Sequence, residues 1–296
     1  LTMMAATVVL TRVISAEAIF GAITEHRVTH FAGAPIVLAM LVNAPEAQRP
    51  KLDYTVKAFT AGAPPPAAIL QKMSEMGFDV MQVYGLTETY GHVTQCVWRE
   101  EWDELGFEAQ ADLQSWQGVG FPMQEGAAVM NTESGELVPR DGETQGEIVL
   151  RGNAVMKGYY KDPDATRAAL HDGWFFSGDA AVWHDNGYIQ IKDRLKDVII
   201  SGGENISSVE VEGYLYRHPS VAAAAVVAKP DEKWGEVPCA FVELKQGESV
   251  SEAEFLEWCR GEMAGFKRPK QVIFGELPKT STGKIQKFVL RQQVKV

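Results

Sequence analysis

The sequence predicts an α/β fold: a doubly wound parallel sheet that gives way to an antiparallel β subdomain, followed by a small α+β domain. Three observations predict it. Apolar runs alternate with helical patterns over residues 1–100, residues 115–193 break into short strands joined by tight turns, and the last hundred residues carry two capped helices among strands.

In the first part the apolar run "ATVVLTR" precedes "SAEAIFGAITEHR", where Ile19 and Ile23 share a helix face behind a Ser15 cap. "VTHFAGAPIVLAMLV", "VKAFTAG" and "FDVMQVYG" continue the alternation. In the second part "GEIVLRG" and "AVWHDNGYIQIKDR" read as strands, and Asn186-Gly187 is a strong hairpin signal. After "KDVIISGGENIS" come a helix with Ser207 and Glu210 at its start, strands "AAAAVVA" and "CAFVEL", and a helix opening at Ser251 with Glu254. Both helix starts carry a capping-box signature, and His218-Pro219 ends the first helix. The domain boundary is expected near Lys196: residues 1–195 form one unit, α/β to about 114 and β-rich over 115–195, and 196–296 form a small one.

A chain of 296 residues with 46% hydrophobic content can bury a substantial core. Its formal net charge of -11 disfavours nucleic acid and anionic lipid as partners, yet leaves room for a small anionic ligand. Cys96, Cys239 and Cys259 show no metal or disulfide spacing, which fits a reducing, cytoplasmic compartment. No apolar run is long enough to span a bilayer. Leu1 opens inside what reads as a mid-domain segment, so an N-terminally incomplete protein is expected.

"ELPKTSTGKIQ", residues 276–286, looks superficially like a phosphate loop. Pro278 stands where a Walker A motif needs glycine, and Ile285 where it needs Ser or Thr, so it is not one. Alone, it fits a surface turn equally well. Elsewhere polar clusters follow strands. Thr87 and Glu88 end "DVMQVYG", where a hydroxyl and a carboxylate could serve a phosphate and its Mg²⁺; an ordinary helix cap fits them as well. Gly62 in "TAGAPPP" would let a flat ring lie on the backbone, although turns look the same. Asp179 in "GWFFSGDAAVW" could take both ribose hydroxyls, or be a β-turn aspartate. Arg194 is a second ribose or phosphate candidate, and Gly202-Gly203 could let a narrow ligand pass.

Taken together, the order and spacing of these motifs resemble the acyl-adenylate-forming superfamily, and within it the acyl-CoA synthetases, over essentially the whole chain. The family's adenine turn matches Gly62-Ala63-Pro64; its "YGxTE" element matches Tyr84-Gly85-Leu86-Thr87-Glu88. Its "RG..VMKGYY" segment starts at Arg151, and its "GW..SGD" runs from Gly173 to Asp179. The resemblance implies ATP, Mg²⁺ and coenzyme A as ligands. It gives the ribose to Asp179 and Arg194, the α-phosphate to Thr87, Mg²⁺ to Glu88, and the reacting carboxylate to Lys284. It also implies a hinge at Lys196, a pantetheine channel at Gly203, Trp234 and Gly235, and an acyl-pocket wall at Gly91 and His92. His92 otherwise reads as a surface or packing residue.

The family's Ser/Thr/Gly-rich loop for the outer phosphates would lie upstream of Leu1. The expected activity is therefore ATP-dependent acyl-CoA synthesis by the parent protein. Its substrate would be a medium-chain or short substituted acid, by similarity to medium-chain acyl-CoA and methylmercaptopropionate-CoA ligases. A carrier-loading adenylation domain and a non-catalytic nucleotide-binding module are the alternatives. Oligomeric state is not readable, a homodimer being one option.

Overall fold

The computed structural model describes residues 6–62, 66–122, 124–280 and 284–294. Three sheets follow one another along the chain. The first contains β1 (His30–Ala32), β2 (Val56–Thr60), β3 (Phe78–Leu86), β4 (Gly91–Gln95) and β5 (Val119–Gly120), in that spatial order. β1, β2 and β3 are parallel, and β4 and β5 extend the sheet antiparallel.

Helix α1 (Ala16–His26) precedes β1, α2 (Pro35–Asn43) and α3 (Ala67–Glu75) connect β1 to β2 and β2 to β3, and α4 (Phe107–Gln114) follows β4. Alternating Val56, Ala58 and Thr60 turn to one face of β2 and are buried. The apolar ones join Leu38, Leu41, Leu70 and Met73 in the first core. Ser15 caps α1 as expected, its hydroxyl accepting the Ala18 N–H.

One expectation fails here. "ATVVLTR" forms no strand and no helix, with Leu10 89% exposed. A strand is held by a neighbouring ladder, and β1, at this edge of the sheet, pairs only with β2 among the described residues.

The second sheet is antiparallel and runs β10-β9-β7-β6, from β6 (Gly126–Met130), β7 (Gln145–Arg151), β9 (Trp174–Trp183) and β10 (Ile189–Arg194). α5 (Pro163–Ala169) leads into the short β8 (Leu170–His171), which pairs with β9. The Asn186-Gly187 hairpin joins β9 to β10, with Gly187 at φ 86°.

The third sheet comprises β11 (Ile199–Ser201), β12 (Glu204–Ile206), β13 (Val221–Asp231), β14 (Gly235–Leu244) and β15 (Gln271–Phe274). α6 (Ser208–Leu215), α7 (Glu252–Glu262) and α8 (Lys287–Gln293) pack around it. Ser251 and Glu254 close a full capping box on α7. On α6 only half of the expected box forms. Ser207 accepts the Glu210 N–H, but the Glu210 carboxylate turns to Lys267 at 2.6 Å, because a cation is a stronger partner than a backbone amide. Ile36 of α2 packs into the core that β13, β14 and α8 share, so the first and third sheets' layers touch.

Candidate active site

β3, the central strand of its sheet, carries Tyr84 near its C-terminal end; Gly85 follows where no side chain fits. A Cβ on Gly85 would stand 1.9 Å from the Gly91 carbonyl oxygen, which the returning β4 strand brings across. The chain then makes a 3-10 turn over Thr87–Thr89, fixed by the Thr89 hydroxyl, which accepts the Leu86 N–H at 2.9 Å. This turn leaves Thr87 exposed and Glu88 half-buried. Tyr159, from the "KGYY" segment, donates to Glu88 Oε1 at 3.0 Å, and the Met156 N–H donates to the Glu88 carbonyl at 2.6 Å. The segment that begins at Arg151 is thereby tied to the turn.

Asp179 lies inside β9, not in a β-turn, and only 4% of it is exposed. Its direct partner across the ladder is Arg194 at the end of β10. Tyr84 donates to Asp179 Oδ2 at 2.7 Å, and the Arg194 Nε stands 3.3 Å from Oδ1. Burial raises the Asp179 carboxyl above the usual carboxylate range, while Tyr84, Arg194 and Lys284 pull it back. Burial also raises the Tyr84 phenol well above its ordinary value, and the Asp179 charge adds to this. Glu147, buried in β7, accepts the Gly178 N–H at 2.6 Å and so fixes the peptide just before Asp179.

Lys284, at the far end of the chain, is near enough to Asp179 and Arg194 for their charges to act on it. Its carbonyl accepts the Thr280 N–H at 2.8 Å and its own N–H donates to Thr280 Oγ1 at 3.1 Å; Lys279 and Ile285 bridge across the turn. The ammonium is pulled below the ordinary lysine range by burial and then by Arg194; Asp179 and Asp197 act against this, and Lys196 adds to the lowering. Arg194 thus faces the Asp179 carboxylate from the end of β10, and the Lys284 ammonium lies within range of both charges. Such a group can hold a sugar diol and meet developing negative charge.

The other predicted residues fall into separate groups. Gly62 takes φ 94° just beyond β2, a conformation that favours glycine; Ala63 and Pro64 lie outside the described residues. Lys196 is exposed in the turn between β10 and β11. Gly203, Trp234 and Gly235 come together in the third sheet: Gly202 N–H donates to the Trp234 carbonyl at 2.8 Å, Ser201 pairs with Gly235, and Trp234 is exposed. At Gly203, φ is 90° and a Cβ would meet nothing within 4 Å. Gly91 and His92 are exposed on β4, and the His92 ring packs edge-on to Phe121 with centroids 4.9 Å apart. Burial raises the Cys96 thiol to about 12 and those of Cys239 and Cys259 to about 11.

Among the described residues no group of three or more His, Cys, Asp or Glu gathers to hold a metal. Glu88, a hard oxygen donor beside the turn, suits a Mg²⁺ completed by phosphate oxygens. Two surface clefts, of about 430 and 490 Å³, are lined by none of Tyr84, Asp179, Arg194 and Lys284: one lies between Arg49, Lys72 and Lys245, the other along Arg151 and Trp174. The site is therefore defined by converging side chains. The sequence reading missed Glu147, Tyr159 and the Tyr84–Asp179 bond. Strand registers in the first and second sheets, with the loop that carries Tyr159, bring these groups together, and spacing alone does not reveal such registers.

Residues 1–160 match the AMP-binding enzyme family, and residues 210–284 match the AMP-binding enzyme C-terminal domain. The chain belongs to the AMP-binding enzyme family. It is 53% identical over 291 residues to an acetate–CoA ligase of Humulus lupulus, covering 96% of this chain and 51% of that protein. It is 49% identical over 301 residues to an acetate/butyrate–CoA ligase of Arabidopsis thaliana named as peroxisomal, covering 100% of this chain and 53% of that protein. The AMP-binding fold is also that of an anthranilate CoA ligase solved in complex with anthranoyl-AMP. That comparison gives a TM-score of 0.81 at 28% identity, over 98% of this chain and 55% of the other. The chain spans about half the length of the curated relatives it matches. No helix among the described residues is long and apolar enough to cross a membrane.

Proposed function

We propose that the full-length protein is an AMP-forming acyl-CoA synthetase. The observation that carries this reading is the Tyr84–Asp179–Arg194 cluster, whose charges also act on Lys284 from a separate stretch of the chain.

In the first half-reaction a carboxylate oxygen attacks the α-phosphorus of ATP and pyrophosphate leaves. Both reactants are anions. The Lys284 ammonium relieves their repulsion and stabilises the charge that builds in the transition state. Asp179, oriented by Tyr84 and Arg194, takes the ribose hydroxyls, and Thr87 donates to the α-phosphate. Gly62 to Pro64 form the floor under adenine, beside Tyr84 and Gly85. Mg²⁺, held by Glu88, supplies charge neutralisation on the phosphates when bound. In the second half-reaction the coenzyme A sulfur attacks the acyl carbon, the thiol proton is lost and AMP leaves. Gly203, Trp234 and Gly235 then line the pantetheine path, and a turn about Lys196 exchanges one arrangement for the other. Residues 1–195 and 196–296 are the two bodies in this account.

The names of the two plant relatives favour a short acid such as acetate or butyrate, with Gly91 and His92 on the pocket wall. Medium-chain and methylthio-substituted acids are the competing outcomes. Cytoplasmic location belongs to this reading, and the peroxisomal name of one relative supplies the alternative. The test is coenzyme A thioester formation by the full-length protein over a panel of carboxylic acids. Thioesters of short acids are the expected result. Adenylates without thioesters would favour a carrier-loading domain, and ATP binding without turnover a non-catalytic module.

A further inference from the structure

Asp193 and Arg194 are neighbours on β10, and neighbouring side chains on a strand point to opposite faces. Arg194 turns to Asp179. Asp193, 1% exposed, turns the other way, to the start of α6. Its Oδ2 accepts the Ser208 N–H at 2.5 Å, and its Oδ1 accepts the Arg194 N–H at 2.7 Å. A bulge between Ile191 and Asp193 breaks the β9–β10 register at Lys192, and the Lys192 carbonyl accepts a bond from the Ser207 hydroxyl. Ser207 is also the N-cap of α6. Both bonds therefore span Lys196: the acceptors precede it and the donors follow it.

The same point is tied to the Lys284 loop. Lys287, three residues beyond Lys284, donates to Ser208 Oγ at 2.6 Å and pairs with Glu212 at 2.7 Å. Arg291, one turn further along α8, pairs with Asp197 just after Lys196. The downstream flank of Lys196 is thus connected directly to the helix that carries the catalytic lysine's loop, and the upstream flank only through the Asp193–Ser208 and Lys192–Ser207 bonds.

We propose that Asp193 is a positioning residue, a catch that holds the α6 N-terminus against β10 so that Lys284 stands over Asp179, and that lets go when the chain turns about Lys196. The proposal rests on the two-step ligase reading. An anionic side chain suits this place because the first amides of α6 are left without helical partners and carry partial positive charge. Any rotation of the third sheet about Lys196 must break the Asp193–Ser208 and Lys192–Ser207 bonds, whereas the Lys287–Glu212 and Arg291–Asp197 pairs move as one body.

The test measures the two half-reactions separately in the full-length protein: acid-dependent pyrophosphate exchange into ATP, and thioester formation from supplied acyl-adenylate. Asp193→Asn keeps an acceptor for Ser208 and loses the charge; Ser207→Ala removes the Lys192 bond. Each is expected to slow exchange tenfold or more, with KM for ATP changed less than threefold, while thioester formation from supplied adenylate holds or rises. An equal fall in both half-reactions at near-normal thermal stability, or no change in their ratio, would overturn the catch. If the unaltered protein catalyses neither half-reaction with any acid, the ligase reading itself fails. Asp193→Glu, which restores the charge, should recover part of the exchange rate; a merely structural role would not give that recovery.

Discussion

The phenol of Tyr84 donates a 2.7 Å hydrogen bond to Asp179 Oδ2, joining the end of a strand in the first sheet to the middle of a strand in the second, 95 residues later. Both groups are buried. The bond orients a carboxylate whose other oxygen faces Arg194. A hydrogen bond to a charged group contributes about 1.5–3 kcal/mol. Tyr84→Phe is therefore expected to raise KM for ATP about tenfold or more, with a smaller effect on the acid. Unchanged ATP kinetics would show that the bond serves packing alone.

Gly85 is where backbone approach is closest. A methyl group there would overlap the Gly91 carbonyl and come within 2.6 Å of the His92 Cα, neither of which is a flexible side-chain end. Gly85→Ala should lower stability by about 3 kcal/mol or more, read by denaturant unfolding. A loss below about 1 kcal/mol would mean that β4 can shift freely, which the β3–β4 ladder opposes.

At Gly203 the prediction separates strain from blockage. Any side chain there is strained by the φ of 90°, yet finds open space. Gly203→Trp should slow thioester formation at least tenfold and leave pyrophosphate exchange within threefold. Equal losses in both steps, tracking a fall in melting temperature, would point to backbone strain and not to an occupied channel.

The lowered pKa of Lys284 fixes the sign of a pH effect. Burial, then Arg194, brings the folded-state value below that of the unfolded chain. The protonated lysine therefore costs stability below its folded pKa, and the cost disappears as pH rises through the folded and then the unfolded value. Lys284→Met should melt slightly higher than the parent at neutral pH, by about 1–2 °C given its partial exposure, and the gap should close towards the ordinary lysine range. A gap that widens with rising pH would contradict this. In the unaltered protein, adenylation should fall off on the alkaline side before a free lysine would lose its proton.

The sequence revealed elements whose signals are local: the Ser15 and Ser251 caps, the Asn186-Gly187 hairpin, and the glycines of the β3 end. Through motifs whose order resembles a family it also singled out Tyr84, Asp179 and Arg194, which the structure brings into contact. It did not reveal relationships set by register. For Asp179 the sequence left a ribose ligand and a β-turn aspartate both open; the residue lies inside β9, its preceding peptide held by the Gly178–Glu147 bond. Glu210 reads as half of a capping box, but Lys267, 57 residues away, competes for it. "ATVVLTR" has the composition of a strand, and composition carries no information about whether a neighbouring strand is present to bond with.

The central claim is that Lys284 serves the meeting of two anions and nothing else. It is tested most directly by running both half-reactions on the full-length protein and on Lys284→Ala. Acid-dependent pyrophosphate exchange should fall by about 100- to 1000-fold in the variant, while coenzyme A thioester formation from supplied acyl-adenylate stays within about threefold. Exchange that survives the substitution, or thioester formation that falls with it in a folded protein, would contradict the account.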